Sequence, residues 1–558
     1  MDRDRFSLET IIYVVVGLVF LAVFLTCYKA AFPSASIRLE VTRNEAVEVA
    51  AKFLENQGYD LSDYEEAKVF GANGYGAVFL QQTQGMEEAN RMMDGEVPIW
   101  RWQCRWFRSG EKEEFRVFVD PSGQVVSFTH AIEEDKAGAE ISQEEAEALA
   151  NNFLTNVAGT DLSGYERVEA STKKLSNRTD HDFEWKLKDF ELTWKEDDPE
   201  AGTGTIRVGV HIQGDQVGGF NRFFKTPELF NRDYSKTTSR GQLLGIISLV
   251  LMFLTAIAAL VVFIIRYKKD DIRWRFALGA GLLILVAYLL LSVNSFPMVK
   301  FAYRTEMGYG VFIGIIMAGA FVVAIIYCAF VMFTGASGES LTREVYPNSL
   351  GTLDQLLKGR VFTRSFFFAS IRGYSLGFFF LGYITLFYLV GRKYLGVFLP
   401  AEGPYSNLLG MYLPWLAPLT ISLLAAVSEE YISRLFSISF LKRYLKWTPA
   451  ALIIPAAIWA FGHSTYPVFP VYVRGIELTI AGVIFGIFFL RFNLMTCIIA
   501  HYVIDAIFIG LPLIRSGNTY YFISGLIVCL LAAVPLILGI PGLLRGKNEP
   551  ENAIEANK

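Results

Sequence analysis

The sequence predicts a polytopic α-helical membrane protein of about ten spans carrying an inserted extracytoplasmic α+β domain of two repeats. Three observations predict it. The 558-residue chain is 53% hydrophobic and has a mean hydropathy of +0.35, too apolar for a soluble protein of that length. Apolar runs long enough to cross a hydrocarbon core follow one another through the C-terminal half. A single long polar stretch separates the first such run from the rest, and it aligns with itself at an offset of about one hundred residues.

The first apolar run, residues 11–26, stands behind Arg3 and Arg5 and is longer than a signal-peptide core. Residues 1–32 therefore read as an uncleaved N-terminal membrane anchor. Later runs cover roughly 243–266, 276–296, 309–334, 373–391, 411–440, 449–463, 475–490, 494–514 and 520–544. Lys and Arg gather at Arg266–Arg275, Arg343–Arg372, Arg434–Lys446 and Arg545–Lys547. These are alternate connections, so the positive-inside rule puts both termini in the cytoplasm and the polar stretch on the other side. The expected division is an anchor (1–32), an extracytoplasmic domain (33–240), linking membrane helices (241–366), a membrane domain with the chemistry (367–545) and a polar cytoplasmic tail (546–558).

Within the polar stretch, Thr42, Glu45, Ala46, Phe53, Leu54, Asp60, Leu61, Ser62, Tyr64 and Glu65 recur as Ser142, Glu145, Ala146, Phe153, Leu154, Asp161, Leu162, Ser163, Tyr165 and Glu166. The copies run over about 41–133 and 141–225. Each opens with a capping box, Thr42 with Glu45 and Ser142 with Glu145, ahead of an amphipathic helical pattern. Downstream, Phe115–Val119 and Ile206–Ile212 read as strands that turn at Asp120–Gly123 and Gln213–Asp215 and then resume. Each unit is thus expected to be a helix packed on an antiparallel sheet. That arrangement resembles the PepSY-type modules often attached to membrane proteases and secreted peptidases.

The composition also excludes functions. A net charge of only −4, with no basic stripe interleaved with aromatics, excludes nucleic acid as the main partner. Cys27, Cys328, Cys497 and Cys529 lie in or beside apolar runs and leave Cys104 alone in the polar domain, so no disulfide framework follows. His130, His181 and His211 have no ligand spacing and read as surface or core residues. Acidic runs such as Glu111–Glu114 and Glu196–Glu200 read as solvated faces, and Gly475, Gly482 and Gly486 as close helix packing.

The chemistry-bearing residues stand out because they lie in apolar helices. Glu429 and Glu430 sit side by side, with Arg434 one turn further on. A charge at mid-membrane costs roughly 2.5–3.5 kcal/mol on insertion scales, so these groups need mutual pairing or a wet cavity. Glu430 and Arg434 can pair at i, i+4, although Arg434 taken alone would also suit snorkelling toward the interface marked by Lys442 and Arg443. Glu429 is rotated about 100° from Glu430 and can point between helices. Counting inward from the nearest polar edges at 1.5 Å per residue puts Glu429, His463, His501 and Asp505 roughly 15–24 Å deep. Three separate helices thus offer a Glu, a His and a His/Asp pair at one level, facing a common interior.

Glu429-Glu430-x-x-x-Arg434, Trp459-x-x-x-His463 and His501-x-x-x-Asp505, in this order on successive helices, resemble the three motifs of the CPBP family of CAAX-protease and bacteriocin-processing intramembrane endopeptidases. The resemblance covers roughly residues 370–545. Trp459 stands where the family often has Phe. Asp505 stands where the eukaryotic prenyl-protein protease has Asn, so it is protonated, a metal ligand, or an orienter of His501. The resemblance implies hydrolysis of peptide bonds in membrane-associated proteins or peptide precursors at a bacterial cell membrane, with lipid and protein or peptide as partners.

Two mechanisms stand side by side. In one, Glu429 activates water and His463, helped by His501 or Asp505, stabilises the oxyanion. In the other, Glu429, His463 and His501 hold Zn²⁺, with Glu430 or Asp505 behind them. Arg434 and Trp459 support either. Two other classes compete: a non-catalytic membrane scaffold or immunity protein of the same fold, and a proton-coupled transporter, since intramembrane carboxylates and histidines also relay protons. No inverted repeat is visible across the apolar half, which disfavours the transporter.

Overall fold

A computed structural model describes residues 6–32, 37–195, 197–399, 406–466 and 468–544. The expected polar tail, 546–558, lies outside the described residues, as do Arg3, Arg5 and Arg545–Lys547.

The chain begins with helix α1 (Leu8–Ala31), capped by Ser7. The polar domain then opens on α2 (Arg43–Asn56), β1 (Glu65–Ala72), α3 (Gly74–Met93), β2 (Trp100–Phe107), β3 (Glu114–Val119) and β4 (Val125–Ala131). The second unit follows as α4 (Gln143–Asn156), β5 (Tyr165–Lys174), β6 (Thr179–Thr193), β7 (Thr203–Gln213) and β8 (Gln216–Lys225).

Both capping boxes form. The Thr42 and Ser142 hydroxyls accept from the backbone N–H of Glu45 and Glu145, and each carboxylate accepts from the cap N–H, at 2.7 and 2.9 Å. Each helix then buries the same stripe, Ala46, Ala50 and Leu54 in one and Ala146, Ala150 and Leu154 in the other. The repeat is therefore real in three dimensions, but its two units do not make two sheets. They share one antiparallel sheet of eight strands in the order β1-β2-β3-β4-β8-β7-β6-β5, joined where the last strands of the two units pair, Phe128 opposite Phe220. The kinked α3, between β1 and β2 in the first unit only, was not foreseen; β5 and β6 in the second are joined directly.

The membrane part follows as α5 (Glu228–Tyr267), α6 (Trp274–Asn294), α7 (Phe296–Phe301), α8 (Tyr309–Val345), α9 (Gly351–Leu357) and α10 (Arg364–Leu395). Next come α11 (Leu416–Glu430), a π-helical segment (Tyr431–Ile438) and α12 (Ser439–Leu445), then α13 (Thr448–Gly462), α14 (Val473–Arg491), α15 (Leu494–Arg515), α16 (Thr519–Ala532) and α17 (Val534–Leu544). Among the described residues, eight helices are long and apolar enough to cross a membrane. The chain is a polytopic integral membrane protein with an added sheet domain. α11 and α13 carry expected spans but are shorter than those eight.

The boundary between domains is not where the polar composition ends. Sheet gives way to helix at Lys225–Glu228, so the polar residues before 241 form the first turns of α5 rather than part of the sheet domain. The reason is the proline at position 227, which closes the last strand and starts the helix.

The sheet domain is seated on one end of the bundle. Arg43 donates to the carbonyls of Gly410 and Met411 at 3.1 and 2.8 Å, and Leu39 N–H to Ser516 O at 2.7 Å. Trp102 stacks against the buried Tyr521 of α16. At the other end an ionic rim ties α5, α8 and α9: Arg266 reaches Asp271 and Glu344, Arg343 reaches Asp271 and Glu339, and Arg273 reaches Asp354. Within the bundle, α15 is the most enclosed candidate span, 61% of its apolar window being buried against 17% for α5. Whatever α15 carries therefore sits at the bundle's centre.

Candidate active site

Glu429 and Glu430 close α11, and the chain continues without a break into the π-helical turn that carries Arg434. Short π segments inside helices recur at functional sites because the wider turn re-aims side chains. Here Ser437 Oγ donates to the carbonyl five residues back, Ile432 O, at 2.6 Å. Arg434 lies fully buried rather than snorkelling: its Nη1 donates to Glu430 Oε1 at 3.0 Å. The guanidinium is held between the Trp459 and Phe485 rings, at 4.4 and 4.9 Å. A buried ion pair costs several kcal/mol per ion in desolvation, and here pairing and two aromatic faces offset it.

His501 joins the two acids. Its Nδ1 lies 2.9 Å from Glu430 Oε1, while Nε2 faces Glu429 Oε2 at 3.8 Å and Asp505 Oδ2 at 3.5 Å. Of the carboxylates, Glu430 is the one within hydrogen-bond distance of the ring, so it, more than Asp505, fixes the imidazole. Asp505 shares the helix face of His501, as the i, i+4 spacing requires.

Glu429 behaves differently from its neighbour. Glu430 has no exposed surface, whereas the Glu429 side chain keeps 29% of its own and Asp505 keeps 26%. Glu429 accepts a hydrogen bond from Trp459 Nε1. Four residues on, His463 Nδ1 donates to the Trp459 carbonyl at 3.0 Å, which leaves Nε2 as its nitrogen for chemistry. The His463 ring packs on Trp459 and on Tyr466, at 5.2 and 5.6 Å. The structure thus gathers Glu429, Glu430, Arg434, Trp459, His501 and Asp505 into one connected group, with His463 joined to it through Trp459.

The fit of a metal follows from these bonds. Trp459 takes one Glu429 oxygen, a backbone carbonyl takes His463 Nδ1, and Glu430 takes His501 Nδ1. Among the described residues no three His, Cys, Asp or Glu side chains converge as a metal-holding group. The expected Zn²⁺ set of Glu429, His463 and His501 does not meet as such a group here, while the Nδ1 bonds leave Nε2 of both histidines as the nitrogens that would hold a metal.

Sequence reasoning passed over several neighbours. Tyr327 of α8 meets Ser428 Oγ at 2.7 Å beside Glu429. Phe485 supplies the second face over Arg434. On α14, the buried Glu477 accepts from Arg474 at 3.0 and 2.7 Å and from Tyr388 at 2.8 Å. A signal existed for this last pair, an acid in an apolar run with an arginine one turn away, the same signal that marked Glu430 and Arg434. His130, His181 and His211 stay in the sheet domain, bonded to Glu113, Ile141 O and Asp182 respectively.

Comparison with known proteins gives one family. A family model described as type II CAAX prenyl endopeptidase Rce1-like matches residues 411–507, a stretch containing every residue of the gathered site. The match is narrower than the stretch 370–545 over which the motifs resemble that kind of enzyme, and it lies outside the sheet domain. No curated protein and no solved structure matches the chain.

Proposed function

We propose that the protein is an intramembrane endopeptidase in which Glu429 activates water against a peptide bond of a membrane-associated protein or peptide precursor. The observation that carries this reading is the unequal pair of adjacent carboxylates: Glu430 sealed against Arg434 and His501, Glu429 partly open beside His501 and Trp459. The match to a CAAX-type peptidase family over these residues supports it.

The step follows from the groups present. Glu429 takes a proton from water as the oxygen attacks the scissile carbonyl carbon, and the carbonyl π pair moves onto its oxygen. As an imidazolium, with its Nδ1–H on Glu430, His501 has Nε2–H left to donate to that oxyanion; His463, whose Nδ1–H goes to the Trp459 carbonyl, adds a second donor at Nε2 in its imidazolium form. Collapse breaks the C–N bond, and the proton on Glu429 passes to the leaving amine. Trp459 holds the Glu429 carboxylate by one oxygen and leaves the other for water. The step uses these residues alone.

Placement in the membrane belongs to the same reading. The basic rim at Arg266–Arg275 and Arg343 marks the cytoplasmic end, so the sheet domain, seated on the opposite end, faces away from the cytoplasm. The sheet domain is then a PepSY-like element that recruits substrate to the site or limits its access.

The test compares new protein termini in membranes carrying wild type or Glu429→Gln, then repeats the cleavage with purified, reconstituted protein with and without a chelator. Termini that vanish in the variant and return in the purified reaction support the reading. Identical termini in both membranes sink it, and a chelator that abolishes the purified reaction replaces the metal-free step by one through zinc.

A further inference from the structure

The sheet domain and the turn that carries His463 are both in contact with one face of one helix. α5 leaves β8 directly after Pro227, and its first turns lie on the sheet domain. Phe230 packs edge-on against Phe79 and Trp194, at 5.1 and 5.4 Å, and Tyr234 against Tyr75 at 5.2 Å. The Tyr75 hydroxyl meets Ser235 Oγ at 3.1 Å.

Tyr234 also meets Phe469, beyond the His463 turn, at 5.2 Å. Next along that face come Gly241 and Gly245. A Cβ on Gly241 would stand 2.6 Å from the Ser464 carbonyl oxygen, and one on Gly245 2.4 Å from Thr465 Cγ2. One further turn on, Ser248 Oγ donates to the carbonyl of Ile458, the residue before Trp459.

Residues 230, 234, 241, 245 and 248 recur at the spacing that keeps side chains on one helical face. That face touches the sheet domain at one end and, at the other, Ile458, Ser464 and Thr465, the residues that bracket Trp459 and His463. Helices shift as rigid bodies, and small translations or rotations at such contacts are a common way of moving a distant group. The approach at Gly241 is to a backbone carbonyl, which cannot swing aside as a flexible side chain would.

We infer that α5 is the positioning element of the Trp459–His463 pair, with Gly241, Gly245 and Ser248 as its positioning residues, so that a shift of the sheet domain on the bundle is relayed to His463. The relay is a property of the fold; only its consequence for cleavage rests on the endopeptidase reading.

The experiment uses the full chain in lipid nanodiscs with ¹⁵N-labelled histidine. With five histidines in the sequence, the His463 ring signals are assigned by their loss in His463→Gln. Gly241→Ala and Gly245→Ala should displace them. Gly310→Ala and Gly314→Ala, at positions where a Cβ meets nothing within 4 Å, should not. In the cleavage assay, kcat should fall by about 10²-fold for Gly241→Ala with KM unchanged, the size expected for an ångström-scale misplacement.

Ser248→Ala, which adds no volume, repeats the test if Gly241→Ala does not fold, and Ser248→Thr, which keeps the hydroxyl, should restore the wild-type signal. Tyr234→Leu, which loosens the seat of the sheet domain, should displace the same signals, and no displacement overturns the relay. Unmoved His463 signals in both Gly241→Ala and Ser248→Ala overturn the positioning role. Displaced signals without any Glu429-dependent cleavage leave the positioning standing and sink the endopeptidase reading instead.

Discussion

The cluster of charge at the centre of the bundle and the one on its rim are built on opposite principles. On the rim, Asp271 is met by Arg266, Arg343 and the Ser340 hydroxyl, and Glu344 by Arg266 and Arg443. Apart from the buried Glu339, the acids and bases there keep contact with water, from 12% for Arg266 to 47% for Arg273. At the centre, Arg434 is the one guanidinium that pairs with Glu429, Glu430 or Asp505 among the described residues, and it pairs with Glu430. The balance of charge at the centre falls to His501, whose ring stands among all three acids. A rim acid surrounded by arginines has its charge cancelled; a central acid facing an imidazole keeps a partner that can give and take a proton.

That contrast can be broken at its sharpest point by Glu429→Gln, which should remove cleavage by a factor of about 10²–10⁴, the usual worth of a general base. Loss of rate with an unchanged melting temperature is the expected pattern, since Glu429 is partly open and seals no charge. A large fall in stability instead would place Glu429 with the structural acids.

Arg434→Ala should act the other way round. It leaves the sealed Glu430 with the His501 ring as its remaining charged partner, and a loss of up to about 3–5 kcal/mol, the cost of breaking a buried pair, is expected. Thermal denaturation of the detergent-solubilised protein measures it, and the double variant Arg434→Met with Glu430→Gln should recover much of the loss. Failure of the double variant to recover would show that the pair does more than cancel itself.

Trp459→Phe keeps a ring over Arg434 and removes the Nε1 donor to Glu429. A hydrogen bond to a charged group is worth roughly 1.5–3 kcal/mol, so kcat should drop by about one to two orders of magnitude with little change in folding. An unchanged rate would mean that Glu429 is oriented by His501 alone. On the rim, Arg443→Ala should shift stability by less than about 1 kcal/mol, because exposed pairs are worth little and Glu344 keeps Arg266.

Much of this architecture was legible in the residues. The capping boxes and the repeated stripe of Ala46, Ala50 and Leu54 were readable because a helix start and its buried face depend on neighbours in sequence. The i, i+4 pairs Glu430/Arg434 and His501/Asp505 were readable for the same reason. Gly482 and Gly486 were assigned to close packing, and a Cβ on either would stand 2.8 and 2.6 Å from Ala456 and Leu452 of α13. Among the features that escaped, three bear on the site and its setting: the joining of both repeats into one sheet through Phe128 and Phe220, the burial of Arg434 between two rings, and the hold of Glu430 on His501. Each depends on residues that lie far apart along the chain and meet only on folding.

By itself, then, the sequence determined that the chain lives in a membrane, that its polar domain is doubled, and which acids and histidines were candidates for one site. These follow from transfer free energy, local hydrogen bonding and the helical rise, all of which act over a few residues. The tertiary structure decided which of two adjacent glutamates is sealed and which is open. It also decided which nitrogen of His501 is occupied, and that α5 ties the sheet domain to the His463 turn. Those outcomes turn on which helix faces meet, and only packing of the whole bundle sets that.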